Sequence, residues 1–252
     1  MPFVVTPVAV GAGVTAGAVT FFNHIARDIR HKEKEGLWRF DQGGLELALK
    51  LRTPNRTRFM RFISELARPD AMTGIGVAGA VSGMLFPKSR PRTFLLAVAL
   101  AGGGLLIGSL KYRYARVRPT LIEALVTEGT FSFPSGHSFI AMVFYGLMAS
   151  WAVQYYTSPW QRIIVTWGAL KMIALIGASR VYLGVHYPSD VLAGYAAAVP
   201  WLTACLIAYR QYEQRQEDMP ALSDPDEDDL NPLPAHRQRI PLRRPVALVE
   251  TN

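Results

Sequence analysis

Three short stretches concentrate the candidate chemistry of this chain: KYRYARVRP at 111–119, FPSGHS at 133–138 and SRVYLGVHYPSD at 179–190. Between them they hold every group that transfer of a phosphate ester requires. Lys111, Arg118 and Arg180 supply fixed cations for the phosphoryl oxygens, and arginine offers a planar pair of donors. Ser135 and Gly136 stand where a helix would begin, so backbone amides there could bind an anion, the glycine allowing close approach. A neutral imidazole is a competent nucleophile toward phosphorus when something holds its other nitrogen. His186 and Asp190 are four residues apart, with Pro188 between them suited to a first helical position. That spacing lets the carboxylate accept a hydrogen bond from the ring and fix its tautomer. His137 could then protonate the leaving alcohol and later activate water.

The elements that must position these groups are apolar. Half of the 252 residues are hydrophobic and only 18% are charged, a profile of the membrane class rather than of a soluble domain. Long uncharged segments at Phe3–Phe22, Ala71–Phe86, Thr93–Leu110, Ser138–Thr157, Ile163–Ala178 and Val191–Tyr209 are each near the length that crosses a bilayer. The expected fold is therefore all-α: a six-transmembrane-helix bundle. Alternation of direction then brings the end of the third span, the start of the fourth and the turn between the fifth and sixth to one membrane face. Lys171 falls inside the fifth span, where an ammonium must snorkel or find a buried partner. The first segment lacks the basic leader of a cleaved signal and is kept as a span. Cys205, the single cysteine, lies in the sixth, and the glycines at 102–104 suit close helix packing.

Outside the spans the chain is charged. In TPNRTRFMRFISELARP, Phe59, Phe62, Ile63 and Leu66 recur at helical spacing, Thr53 can cap and Pro54 fits the first turn, so an amphipathic interfacial helix is expected within 23–70. After Tyr209 the sequence becomes rich in proline and charge, and residues 210–252 are expected to form a disordered tail following a membrane domain at 1–209. Arg113 and Arg116 read as interface anchors, as do Trp38, Tyr112, Tyr114, Tyr155, Tyr156 and Trp160. His24, His31 and His236 have no matching constellation and read as solvated surface.

Lys111-x6-Arg118-Pro119, Pro134-Ser135-Gly136-His137 and Ser179-Arg180-x5-His186-x3-Asp190 resemble the three-part signature of the type 2 phosphatidic-acid phosphatase superfamily. Every signature position is filled, in the family's order and spacing. The residues by themselves leave a metal open. The resemblance implies a metal-independent, cofactor-free phosphatase that works through a phosphohistidine. His186 would be the nucleophile, Asp190 its orienting acid and His137 the general acid and then base. Lys111, Arg118, Ser135, Gly136 and Arg180 would hold the phosphoryl group. The implied substrates are lipid phosphates, namely phosphatidate, phosphatidylglycerol phosphate or polyprenyl diphosphates. The partners are the membrane and the lipid; nucleic acid is not expected, and the sequence is silent on oligomeric state.

Two alternatives use the same residues: a lipid phosphotransferase with an acceptor other than water, and a non-catalytic lipid-phosphate binding or transport protein. Vanadium haloperoxidases share the signature, but their soluble helical form fits poorly with six spans. Lys and Arg are more numerous on the face carrying the motifs. Setting aside Lys111, Arg113, Arg116, Arg118 and Arg180, the two faces balance and charge does not set orientation. The resemblance implies an extracytoplasmic site with both termini in the cytoplasm.

Overall fold

Proline marks the start of several helices in this chain, although α2 begins without one and Pro200 lies inside the last helix. The computed structural model describes residues 7–31, 35–86 and 90–218, all helix, turn or loop. The order is α1 (Pro7–His31), α2 (Glu35–Lys50), α3 (Pro54–Glu65), α4 (Pro69–Leu85), α5 (Arg90–Tyr114), α6 (Gly136–Tyr155), α7 (Pro159–Tyr182) and α8 (Pro188–Asp218). Helices α3, α4 and α7 carry proline in the first turn, where its missing N–H costs nothing. Thr53 caps α3 as its sequence predicts, its hydroxyl accepting from the Arg56 amide at 3.3 Å.

Among the described residues, four helices are long and apolar enough to cross a membrane: Pro91–Tyr114, Gly136–Tyr155, Pro159–Tyr182 and Pro188–Gln216. They carry the predicted third to sixth spans. The first predicted span falls partly on α1, its beginning lying outside the described residues, and the second on α4, a helix of 17 residues. Lys171 is exposed on α7 rather than turned into the bundle interior. The sixth helix of the prediction runs on past Tyr209 to Asp218; the rest of the expected tail, His236 included, lies outside the described residues.

The main core fills the space between α4, α5, α6 and α8, where Met72, Leu100, Ile107, Phe139, Leu147 and Ala198 are buried together. The predicted role of the glycine run holds at two of its three positions. A Cβ on Gly102 would lie 2.7 Å from the Trp201 ring, and one on Gly103 would lie 2.7 Å from the Phe139 ring, whereas Gly104 faces open space. Trp201 uses the approach to donate from Nε1 to the Ala99 carbonyl at 2.9 Å. Gly103→Ala should therefore cost about 1–3 kcal/mol through overpacking, measured as a lower melting temperature in detergent, while Gly104→Ala should not.

A helix, α3, forms over the segment expected to be amphipathic, and its apolar residues are divided between two environments. α3 packs on α7, burying Ile63 and part of Leu66, and leaves Phe59 and Phe62 exposed. Tyr114 also departs from expectation. Instead of standing at an interface it packs edge-on against Phe22 and Phe133, 6.0 and 5.1 Å between ring centroids.

Candidate active site

The C-terminal ends of α5 and α7 meet the N-terminal ends of α6 and α8. Lys111 rides on the last turn of α5, His137 on the first turn of α6, Arg180 on the last turn of α7 and Asp190 on the first turn of α8. Lys111, Gly136, His137, Arg180 and His186 line one cavity of about 590 Å³. The span-counting expectation that these groups share a face is met by the structure, which also brings them to a single pocket.

The long loop at 115–135 closes one side of this pocket and is pinned from several elements. Arg52 donates to the Glu123 carbonyl at 2.7 Å, Arg61 to the Leu125 carbonyl at 2.9 Å, and the Leu125 amide to Leu183 at 2.9 Å. Gly184 makes the matching turn on the other side. Its φ of +75° is one that side chains rarely adopt, and a Cβ there would meet the Glu123 carbonyl oxygen at 2.8 Å.

His186 is almost wholly buried, and its two nitrogens face different partners. Nε2 lies 3.3 Å from Arg118 Nη1, a group that can only donate, so Nε2 is the unprotonated nitrogen. The proton then sits on Nδ1, which faces Asp190 Oδ2 at 3.5 Å. That separation is a close approach rather than a formed hydrogen bond. Free active sites are often loose in this way and tighten when loaded. Burial pushes the His186 pKa down to about 4, with Lys111 and Arg180 adding to the effect and Asp190 opposing it. The ring is thus neutral near pH 7, with a lone pair aimed at the arginine.

The cations are firmly held. Arg118 donates from Nε to the Thr130 carbonyl at 2.8 Å and from Nη1 to the Val185 carbonyl at 2.6 Å. Arg180 donates to Ser64 Oγ at 2.5 Å and is paired with Glu128. Lys111 donates to the Phe131 carbonyl at 2.5 Å. Ser135 differs from the sequence expectation of a phosphate ligand. It is fully buried and absent from the cavity lining; its amide donates to the Asp190 carbonyl at 3.0 Å, and its hydroxyl caps α6 by accepting from Ser138. Gly136 does line the cavity, at the start of the helix that Ser135 caps.

Five further groups at the site lie outside the sequence expectation. Arg116, read as an interface anchor, is instead only 14% exposed and bridges Asp190 at 2.5 Å and Asp41 at 2.7 Å. Ser132 donates to Asp190, and the Tyr187 amide donates to the same carboxylate oxygen at 2.9 Å. Asp41 comes from α2, far from every motif. Glu128 lies between Arg180 and Arg118, 3.7 Å from the latter, where a phosphate would seek the same two guanidiniums. Only Arg116 carried a usable signal, its place two residues before Arg118.

Residues 92–215 match the family model of the PAP2 superfamily. Phosphatidylglycerophosphatase B of Bacillus subtilis is 35% identical over 140 residues, half of this chain and 68% of that protein. An undecaprenyl-diphosphatase of Sulfolobus acidocaldarius is 32% identical over 121 residues, 44% of this chain and 52% of that protein. Among solved structures, a transmembrane PAP2-type phosphatidylglycerolphosphate phosphatase from Bacillus subtilis superimposes with a TM-score of 0.67 at 27% identity, covering 81% of this chain and 98% of that one. With a membrane protein as its structural neighbour and four helices fit to cross a bilayer, the chain is an integral membrane protein.

Proposed function

Because the chain belongs to the PAP2 superfamily, we propose that it is a membrane lipid-phosphate phosphatase that hydrolyses a phosphomonoester or diphosphate through a phosphohistidine on His186. The substrate is phosphatidate, phosphatidylglycerol phosphate or a polyprenyl diphosphate, the last two matching the named activities of the relatives in Bacillus subtilis and Sulfolobus acidocaldarius. The observation that carries this reading is the orientation of His186: an unprotonated Nε2 directed to Arg118 inside a cavity shared with Lys111, Arg180 and His137.

In the first step the Nε2 lone pair forms a bond to phosphorus while the bond to the lipid oxygen breaks. That oxygen keeps the electron pair and takes a proton from His137, whose protonated form the anionic substrate favours. Asp190 stabilises the positive charge that the ring gains. In the second step His137 accepts a proton from water, the water oxygen bonds to phosphorus, and the N–P pair returns to Nε2. Lys111, Arg118 and Arg180 neutralise the phosphoryl oxygens throughout, with the Gly136 amide at the helix start as a further donor. The phosphate replaces Glu128 as the partner of the two arginines. These side chains supply the charge that the reaction needs, and the proposed reaction uses no metal.

The remaining placement belongs to the same proposal. α1 and α4 complete six spans, α3 lies at the membrane interface with Phe59 and Phe62 toward lipid, residues 1–209 form the membrane domain, and residues 210–252 form a cytoplasmic tail. The site faces the extracytoplasmic side.

The test is a substrate panel on protein purified in detergent with chelator present. Inorganic phosphate should be released from at least one of phosphatidate, phosphatidylglycerol phosphate and a polyprenyl diphosphate. Phosphate appearing on an added alcohol instead would make the protein a phosphotransferase. Tight binding without turnover of any member would contradict catalysis.

A further inference from the structure

Asp41 lies outside the three-part signature, on a helix that carries none of the site residues. It is nevertheless fully buried, and three donors converge on it. Ser189 donates from its amide at 2.9 Å and from its hydroxyl at 2.7 Å, and Arg116 Nη2 donates at 2.7 Å. The hydrogens can be placed. Arg116 Nη1 donates to the Ser189 hydroxyl oxygen at 2.8 Å, so the hydroxyl's own hydrogen goes to Asp41. Burial pushes the Asp41 carboxyl pKa up, yet every polar neighbour named is a donor, and this surrounds an anion.

Arg116 therefore faces two buried carboxylates with one charge, its guanidinium 4.0 Å from the centre of the Tyr187 ring. Paired with Asp190 alone, it would cancel the negative charge that faces His186 Nδ1. The second carboxylate returns the cluster to one net negative charge.

We propose that Asp41 is a positioning residue for phosphoryl transfer: through Arg116 it fixes Asp190 and leaves the Asp41–Arg116–Asp190 cluster with the one negative charge that stabilises His186 as it becomes phosphorylated. This rests on His186 as the nucleophile. Failure of that reading would show separately, as turnover surviving His186→Ala.

His186 is faced by Asp190 from α8, Lys111 from α5, His137 from α6, Arg180 from α7 and Arg118 from the loop, with Glu128 lining the same cavity and Arg116 reaching it only through Asp190. Asp41 is the contribution of α2. Removing its charge should therefore move the protonation of His186 in a direction set by sign alone. Asp41→Asn should lower kcat about 10- to 100-fold with KM within about three-fold. It should also shift the acid limb of kcat/KM down by about half a pH unit to one unit, because a lost anion disfavours the imidazolium. Arg116→Gln leaves two carboxylates and should shift the same limb upward. The double variant D41N/R116Q restores a single negative charge, and its limb should return toward wild type. All variants are assayed on one lipid phosphate, so the substrate's own ionisation drops out of the comparison. If either single variant does not fold, the other is compared with the double variant, which buries no unmatched cation. Limbs that move the same way in both single variants, that do not move, or that fail to return in the double variant would overturn the proposal.

Discussion

Replacing His186 by alanine should reduce phosphate release by about 10⁴-fold or more, because it removes the atom proposed to accept the phosphoryl group. Binding should survive. Lys111, Arg118 and Arg180 are each held by backbone carbonyls or by Ser64, not by the imidazole alone, so the phosphate pocket keeps its charge. The expected signature is a collapse of kcat with lipid-phosphate affinity kept within a few-fold. Arg118 loses one contact on its Nη1 but retains the Val185 carbonyl on the same nitrogen. Loss of affinity in parallel with loss of rate would instead mean that the ring's main role is to hold the arginine.

The second large effect belongs to His137, and it should depend on the leaving group. A lipid alcohol leaves poorly without a proton, so His137→Ala should slow hydrolysis of a lipid phosphate by about 10²–10⁴-fold. An aryl phosphate with an acidic phenol does not need that proton in the first step. It should still phosphorylate His186 quickly in the variant, and then stall because water activation also falls to His137. A burst of one phenolate per active site followed by slow turnover is the expected trace. Equal loss on lipid and aryl substrates, with no burst, would remove His137 from proton transfer. His137 is buried on the first turn of α6 and lines the same cavity as His186, which is what supports the proposed proton transfers.

The signature groups were legible in the sequence because their convergence follows from helix direction: four helix ends alternate, so Lys111, His137, Arg180 and Asp190 arrive together whatever their separation along the chain. Local signals were legible for a similar reason, and Thr53 caps the helix that its spacing announces. The groups missed are those whose position depends on tertiary packing. Arg113 and Arg116 are the same residue type three positions apart, but Arg113 is exposed on α5. Arg116 follows Ala115, whose φ of 47° turns the chain and sends the next guanidinium inward. Asp41 meets Arg116 across 75 residues, a pairing that no local pattern encodes. Ser135 is expected at the phosphate because it stands where a helix begins and belongs to the signature. A serine immediately before a helix has a stronger local use as its cap, and that use prevails here.

The central claim is that the phosphoryl group passes through His186. The most direct measurement is to mix an aryl phosphate carrying a labelled phosphoryl group with the His137→Ala protein, quench rapidly in alkali and map the label by peptide. A label stable to base and carried by the peptide containing His186 is expected, and it should be absent when His186 is also replaced. Label on no residue, or on any residue other than His186, while phosphate is still being released, would contradict it.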